Sequence, residues 1–351
     1  MQKIMLFLSS IILSSTLWGQ GINFEEITPD EAVAKAKAEN KFVFVDVYTD
    51  WCGPCRLMDA QIFPLKAIGD YFNPRFVSVK VNAEKGDSGP VFAKKFGIKA
   101  YPTFVILDGE GELIHLFAGG VLDLRFIDKV DASFDPAQAF GALKKRYDAG
   151  DRDKKLVACY LEALQNTHTT DVTKLVEEFY ETLKDEDKIF KEGFFIFDSY
   201  APLGSEKEAF LTENLETFRE EIGRQKVDSV LKMKYVIYFS KILQGYDRQA
   251  TKEKIEEAGN KAASLHLLNA DILPVYQAAS VAKMTESGQE ALFELINTTA
   301  PKLVDLDKNL FLYFVIPAFK KTWNETQTAE LLQLVTDEST KGYIQRSITP
   351  R

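Results

Sequence analysis

The sequence predicts an α/β domain followed by an all-α domain, and three observations carry that prediction. Phe42-Val43-Phe44-Val45-Asp46-Val47-Tyr48 is an apolar, β-branched run broken only by Asp46, as in a strand buried on both faces. Tyr101 to Leu107 and Glu112 to Phe117 flank Asp108-Gly109-Glu110-Gly111, a strong hairpin turn. Beyond Asp135-Pro136 no strand pattern of weight occurs. Helical segments of roughly 12–18 residues recur there instead, set apart by breakers such as Gly150-Asp151, Asp185-Glu186-Asp187 and Pro202-Leu203-Gly204.

The first twenty residues differ from the rest. Lys3 is their only charge, and the largely apolar stretches Ile4 to Leu8 and Ile11 to Leu17, separated by Ser9 and Ser10 and with Ser14, Ser15 and Thr16 inside the second, exit through Gly19-Gln20-Gly21. This reads as a secretory signal peptide over residues 1–20. The apolar core is shorter than the ~20 residues a membrane span needs, which favours cleavage over retention as an anchor. No cysteine lies near the exit to carry a lipid. The leader is bacterial in style, so the expected location is the periplasm, with no stable membrane insertion after cleavage.

Gly21 to Thr28 gives a short first strand. A helix starts at Thr28-Pro29-Asp30-Glu31, with Thr28 as N-cap, Pro29 at the first helical position and Glu31 three residues on, and it runs to Glu39. The central strand Phe42 to Tyr48 leads into Cys52-Gly53-Pro54-Cys55, and good helix formers predict a helix from Pro54 towards Tyr71. Arg75 to Ala83 is the next strand, and Asp87 to Phe96 a helix with Gly97 as its left-handed cap. After the hairpin and Gly119-Gly120, Val121 to Asp131 supplies a last helix. Asp135-Pro136 marks the expected boundary, giving domains of 21–134 and 135–351. At the start of the second, Ala142, Leu143 and Tyr147 followed by Leu156, Cys159, Tyr160 and Leu164 have helix-turn-helix spacing. That pair is faintly similar to a tetratricopeptide unit of period ~34, which makes a solenoid of helix pairs the candidate arrangement.

At 351 residues the chain is long enough for two domains, and a 46% hydrophobic content provides for sizeable cores. The net charge of −9 offers no basic stripe to neutralise phosphates, which argues against a nucleic-acid partner. There are three cysteines, Cys52, Cys55 and Cys159, too few for a disulfide scaffold. A zinc site would need four ligands, but no second Cys-x-x-Cys or histidine pair exists, and Arg56 stands where a c-type haem site needs histidine. Neither a metal nor a separate cofactor is expected. His115, His168 and His266 are scattered, and Cys159 reads as a small core residue.

The Cys52/Cys55 pair sits where a buried strand hands over to a helix. Free N–H groups and the positive end of the helix dipole favour an anion there, so Cys52 is expected to ionise below the ~8.5 of a free cysteine. The second thiol can then resolve a mixed disulfide formed by the first. Gly53-Pro54 keeps the link tight, and Pro54 suits a first helical turn, where its missing N–H is not needed. A structural disulfide is the alternative reading of the pair. Asp46, a carboxylate inside an apolar strand, is costly there and has its pKa raised.

Trp51-Cys52-Gly53-Pro54-Cys55 resembles the active-site segment of the thioredoxin-like family. Asp46, six residues before Cys52, stands where the family has a buried carboxylate. Lys80, in the strand Phe76 to Asn82, matches the family's lysine partner of that carboxylate. Tyr101-Pro102-Thr103 lies where the family places a cis-proline facing the sulfurs. The resemblance covers about residues 24–132. It implies a thioredoxin fold and a thiol–disulfide oxidoreductase in which Cys52 attacks and Cys55 resolves. Asp46 accepts the Cys55 proton or is held in an ion pair with Lys80, Trp51 covers the disulfide, and Pro102 exposes nearby backbone to a substrate chain.

The family's kinking proline is expected five residues after the second cysteine. Ala60 stands there, and Pro64 comes nine residues after Cys55. This departure shifts the resemblance towards exported thioredoxin-domain proteins, here with a C-terminal helical extension. Gly-Pro between the cysteines resembles the reducing members. The expectation is therefore a reductase acting on protein substrates with disulfides and recharged by a membrane electron donor. The alternative is an interaction protein, an adaptor or holdase working through its helical domain, with an auxiliary redox domain.

Overall fold

The computed structural model describes residues 21–247 and 249–349; the expected signal peptide lies outside them. The chain divides into two compact units, meeting at Thr182 and Leu183.

The first unit contains β1 (Phe24–Glu25), α1 (Pro29–Glu39), β2 (Phe42–Tyr48), α2 (Gly53–Gln61), α3 (Lys66–Phe72), β3 (Phe76–Asn82), α4 (Ser88–Lys95), β4 (Thr103–Leu107), β5 (Leu113–Ala118) and α5 (Arg125–Asp131). The helices α6 (Phe140–Asp148), α7 (Lys154–Thr167) and α8 (Thr173–Thr182) follow. Its sheet has the order β1-β3-β2-β4-β5. β1 and β2 run parallel to β3, while β2/β4 and β4/β5 are antiparallel.

β2 lies at the centre, and Val43, Phe44, Val45 and Val47 are all fully buried, as the unbroken apolar run predicts. Side chains alternate along a strand, so Phe44 and Asp46 share one face. That face carries an aromatic core with Met58, Phe63, Phe72, Phe104 and Phe126. Phe44 stacks on Phe104 at 5.7 Å and meets Phe72 edge-on at 4.8 Å. Burying each such ring is worth about 1.5–3 kcal/mol, enough to hold one carboxylate of the strand in an apolar setting.

The predicted start of α1 is present in full: Thr28 accepts from the Glu31 amide, and the Glu31 carboxylate accepts from the Thr28 amide. The single helix expected from Pro54 towards Tyr71 is two. Pro64 has no N–H and biases Phe63 away from helical backbone, so the amides of Ile62 and Phe63 both close on the Met58 carbonyl and the helix stops. The last helix of the sheet domain starts at Arg125 rather than Val121. The Asp123 carboxylate accepts from the Arg125 amide at 2.9 Å, folding residues 123–125 into a local turn.

Past the expected boundary at Asp135-Pro136, α6 and α7 pack on each other and on β5. Tyr147 stacks on Tyr160 at 4.4 Å. The Phe140 amide donates to Nδ1 of His115, which is buried on β5. α6 comes so close to β5 that a Cβ at Gly141 would lie 2.0 Å from the Leu113 carbonyl oxygen. These contacts carry the compact unit on to Thr182. Cys159, on α7, is half-buried.

The second unit is all-α among the described residues: α9 (Phe194–Ser199), α10 (Glu206–Glu213), α11 (Leu215–Phe218), α12 (Arg224–Leu243), α13 (Lys252–Ser264), α14 (Leu273–Thr285), α15 (Gln289–Thr299), α16 (Asp305–Ala318), α17 (Glu325–Gln333) and α18 (Glu338–Ile348). The aromatic stretches of the sequence supply its interior: Phe194 to Phe197, Tyr235 with Phe239, and Phe311 are buried. Its buried charges are paired, Asp228 with Arg219 at 2.8 Å and Glu208 with Lys261 at 2.9 Å. Among the described residues no helix is long and apolar enough to cross a membrane.

Candidate functional site

At the C-terminal end of β2 the chain turns through Thr49 to Trp51 and enters α2. Cys52 is the N-cap of α2, with extended backbone, and Pro54 lies in the first turn. Cys52 and Cys55 are joined as a disulfide, with their Cα atoms 5.3 Å apart. The Cys55 amide donates to the Cys52 sulfur at 3.1 Å. An N–H aimed at that atom from a helix N-terminus favours the thiolate that reduction would generate. Both cysteines are shielded, at 2% and 4% exposure, while Trp51 beside them stands 65% exposed.

The turn is fastened by contacts that the sequence alone did not reveal. The Trp51 indole N–H donates to the Glu84 carboxylate at 3.0 Å, and the Glu84 amide is held by the Asn82 side chain at 3.0 Å. Asn82 in turn donates to the Asp50 carboxylate at 2.8 Å. Asp50 also pairs with Lys85, whose hydrogen bond, more than its charge, holds the Asp50 carboxyl below its usual range. Arg56 donates to the Asp50 carbonyl at 3.0 Å. The signal for this network is the parallel pairing of β2 with β3. It places Tyr48 opposite Asn82, so the residues leaving the two strands meet above the sheet.

Tyr101 meets Trp51 edge-to-face at 5.7 Å, which sets the Tyr101–Pro102 turn beside the cysteine turn. The Tyr101–Pro102 peptide bond is cis, and the Pro102 carbonyl accepts from the Gly119 amide at 2.8 Å. Gly120 lies against Pro54 and Met58 of α2: a Cβ there would touch both at 3.5–3.7 Å. The segments around Trp51, Pro54, Pro102 and Gly120 thus come together at one end of the sheet.

Below them, Asp46 is 1% exposed, and its Oδ1 has no hydrogen-bond partner. Burial is the main reason its carboxyl is pushed up to about 7; the Lys80 ammonium opposes the shift and the Asp59 charge adds to it. Lys80 lies directly across the β2/β3 pair, with Nζ 3.4 Å from Asp46 Oδ2. The same Nζ is bonded to Asp59 on α2, a residue the sequence reading used only as part of the helix. An acid that titrates near ambient pH is suited to take a thiol proton and give it up again. Among the described residues no group of three or more His, Cys, Asp or Glu side chains could hold a metal ion.

The stretch that carries these residues is similar to known proteins. Residues 29–132 match a family model described as a thioredoxin-like domain. Thioredoxin-T of Drosophila melanogaster is 34% identical over 82 residues, which is 23% of this chain and 48% of that protein. The chloroplastic thioredoxin Y of Oryza sativa subsp. japonica is 30% identical over 109 residues, covering 31% of this chain and 59% of its own. Among solved structures, a candidate disulphide-isomerase from Bacteroides thetaiotaomicron is 36% identical, with 33% of this chain and 95% of that chain covered and a TM-score of 0.31. The chain spans about half the length of the curated relatives it matches. Through residues 29–132, this chain belongs to the thioredoxin-like family.

Proposed function

We propose that this protein is an exported thiol–disulfide oxidoreductase that works as a reductase of protein disulfides. The observation that carries the reading is the Cys55 amide directed at the Cys52 sulfur at the head of α2, with a buried acid titrating near neutrality on the strand beneath. In the reduced enzyme the Cys52 thiolate attacks one sulfur of a substrate disulfide. A Cys52–substrate disulfide forms, and the other substrate sulfur leaves as a thiolate. The Cys55 thiol passes its proton to the Asp46 carboxylate and attacks the Cys52 sulfur. The Cys52–Cys55 disulfide forms, the second substrate sulfur leaves, and two electrons have moved from enzyme to substrate. Trp51 and Pro102 frame the cysteines on the substrate side, and Gly53-Pro54 supports the reducing direction by resemblance.

The leader-like residues 1–20 support export to the periplasm. There the oxidised enzyme needs a dithiol donor to return it to the reduced state, and a membrane electron donor fills that role. An insulin-reduction assay tests the proposal. Turnover is expected for the wild type and none for Cys52→Ser; turnover that survives the substitution refutes it. Measuring the reduction potential of the Cys52–Cys55 couple against a glutathione buffer decides direction, since each ~30 mV is a factor of about ten in the equilibrium.

A further inference from the structure

Asp59 enters none of the chemistry above, yet it touches the group that controls the buried acid. It lies on α2 four residues after Cys55, so the two side chains share one face a helical turn apart. Its carboxylate is bonded to Lys80 Nζ, and its side chain is 45% exposed. Lys80 is boxed in on its other sides, with the rings of Phe24, Tyr48 and Phe63 5.2–5.4 Å from Nζ. One ammonium therefore stands between a surface carboxylate, which it contacts directly, and a buried one, from which it stays 3.4 Å away.

We propose that Asp59 is a positioning residue: it draws the Lys80 ammonium out of full pairing with Asp46 and so keeps Asp46 free to take the Cys55 proton. The inference rests on the redox reading for the identity of that proton, and on geometry for the rest. An ammonium seated squarely on a buried carboxylate would keep it ionised well below neutral pH and make it a weak base. With Lys80 drawn towards solvent, burial prevails and the acid titrates near 7.

The charges that bear on Asp46 are few. Lys80 faces it from β3 and Asp59 from α2, while its neighbour on β4 is Phe104. On α3, Lys66 and Asp70 pair with each other. On α5, Arg125 pairs with Asp123, Lys129 acts on His115, Asp131 bonds Tyr71, and Asp128 bears on Arg125.

The test is a carbon-13 carboxyl titration of Asp46 by NMR in the full-length oxidised chain, which requires no turnover. Asp59→Asn weakens the hold on Lys80 and removes a negative charge, and both changes favour the ionised form of Asp46. Its midpoint should fall by roughly one unit. Asp59→Ser should act in the same sense, Asp59→Glu should restore the wild-type midpoint, and Asp70→Asn, which removes a surface charge elsewhere, should leave it unmoved. The acid limb of the pH–rate profile for mixed-disulfide resolution should move in the same direction. An unmoved midpoint in both Asp59→Asn and Asp59→Ser, or an equal shift in Asp70→Asn, overturns the proposal. A shifted midpoint in a protein without insulin turnover would refute the redox reading and leave the role of Asp59 standing.

Discussion

The backbone N–H of Phe140 donates to Nδ1 of His115 across 3.0 Å, so a strand side chain satisfies the first turn of a helix that lies beyond the sheet. Only the neutral imidazole can accept there. Burial, assisted by Lys129, pushes His115 down to about 4. An unfolded histidine titrates near 6.5, so this contribution is complete above about pH 6.5 and is lost as the pH falls through 4. The loss is about 3 kcal/mol across that window. His115→Phe should cost about 1–3 kcal/mol at pH 7.5, because it leaves the Phe140 amide unpaired. The difference from wild type should shrink as the pH approaches 4, measured by denaturant unfolding. A difference that stays constant over that range would contradict the assignment.

Asp46 carries the opposite slope. Its folded value is about 7 against an ordinary 3.8, so its contribution is complete below about pH 3.8 and is lost as the pH rises through 7. Asp46→Asn should therefore stabilise the protein at pH 8, by up to about 4 kcal/mol, while slowing resolution of the mixed disulfide. Between pH 4 and 6.5 the two groups offset one another. Wild-type stability should be nearly level there, and each variant should uncover the slope of the other residue. Equal stability of Asp46→Asn and wild type at pH 8 would show that the buried carboxylate carries no such penalty.

Division of labour between the sulfurs is testable by trapping. Cys55→Ser should accumulate a Cys52–insulin mixed disulfide, visible as a mass shift on a non-reducing gel and released by dithiothreitol. Cys52→Ser and the double variant should show none. Adduct formation by Cys52→Ser would reverse the assignment of attacking and resolving thiols.

Gly141→Ala should destabilise the first unit by about 1–3 kcal/mol, because the new methyl group meets backbone that cannot swing aside. Gly342→Ala makes a contrast. Its added Cβ would lie 3.4 Å from the end of the Arg346 side chain, and alanine favours helix, so a gain of up to about 1 kcal/mol is expected there. Thermal unfolding of the two variants should move in opposite directions.

The parts of this architecture that are legible in the sequence are those with a local cause. The unbroken run at Phe42 to Tyr48, the capping box at Thr28 and Glu31, and the proline after Cys52-Gly53 each state their structure within a few residues. Most of what was missed depends on partners far along the chain, the helix break being the local exception. The break after Gln61 required weighing one proline against a good helical pattern. The Trp51–Glu84 contact follows only once β2 and β3 are known to run parallel in register. His115 looked idle because its partner is a backbone amide twenty-five residues away, which leaves no trace in composition or spacing. Asp59 was hidden for a similar reason: an acidic residue on a half-exposed helix face is ordinary until the lysine it reaches is found.

The seating of α6 against β5 bears on how this protein should be cut for expression. β5 is an outer strand of the sheet. A gene fragment stopped at Phe134 would lack α6 and α7, which cover that strand, and would offer an unprotected edge to neighbouring molecules. Such a fragment should self-associate in gel filtration, whereas one carried through Thr182 should run as a single species. His115 on β5 and Gly141 on α6 tie that helix to the sheet, well past the place where the sequence stops looking like strand and helix in alternation.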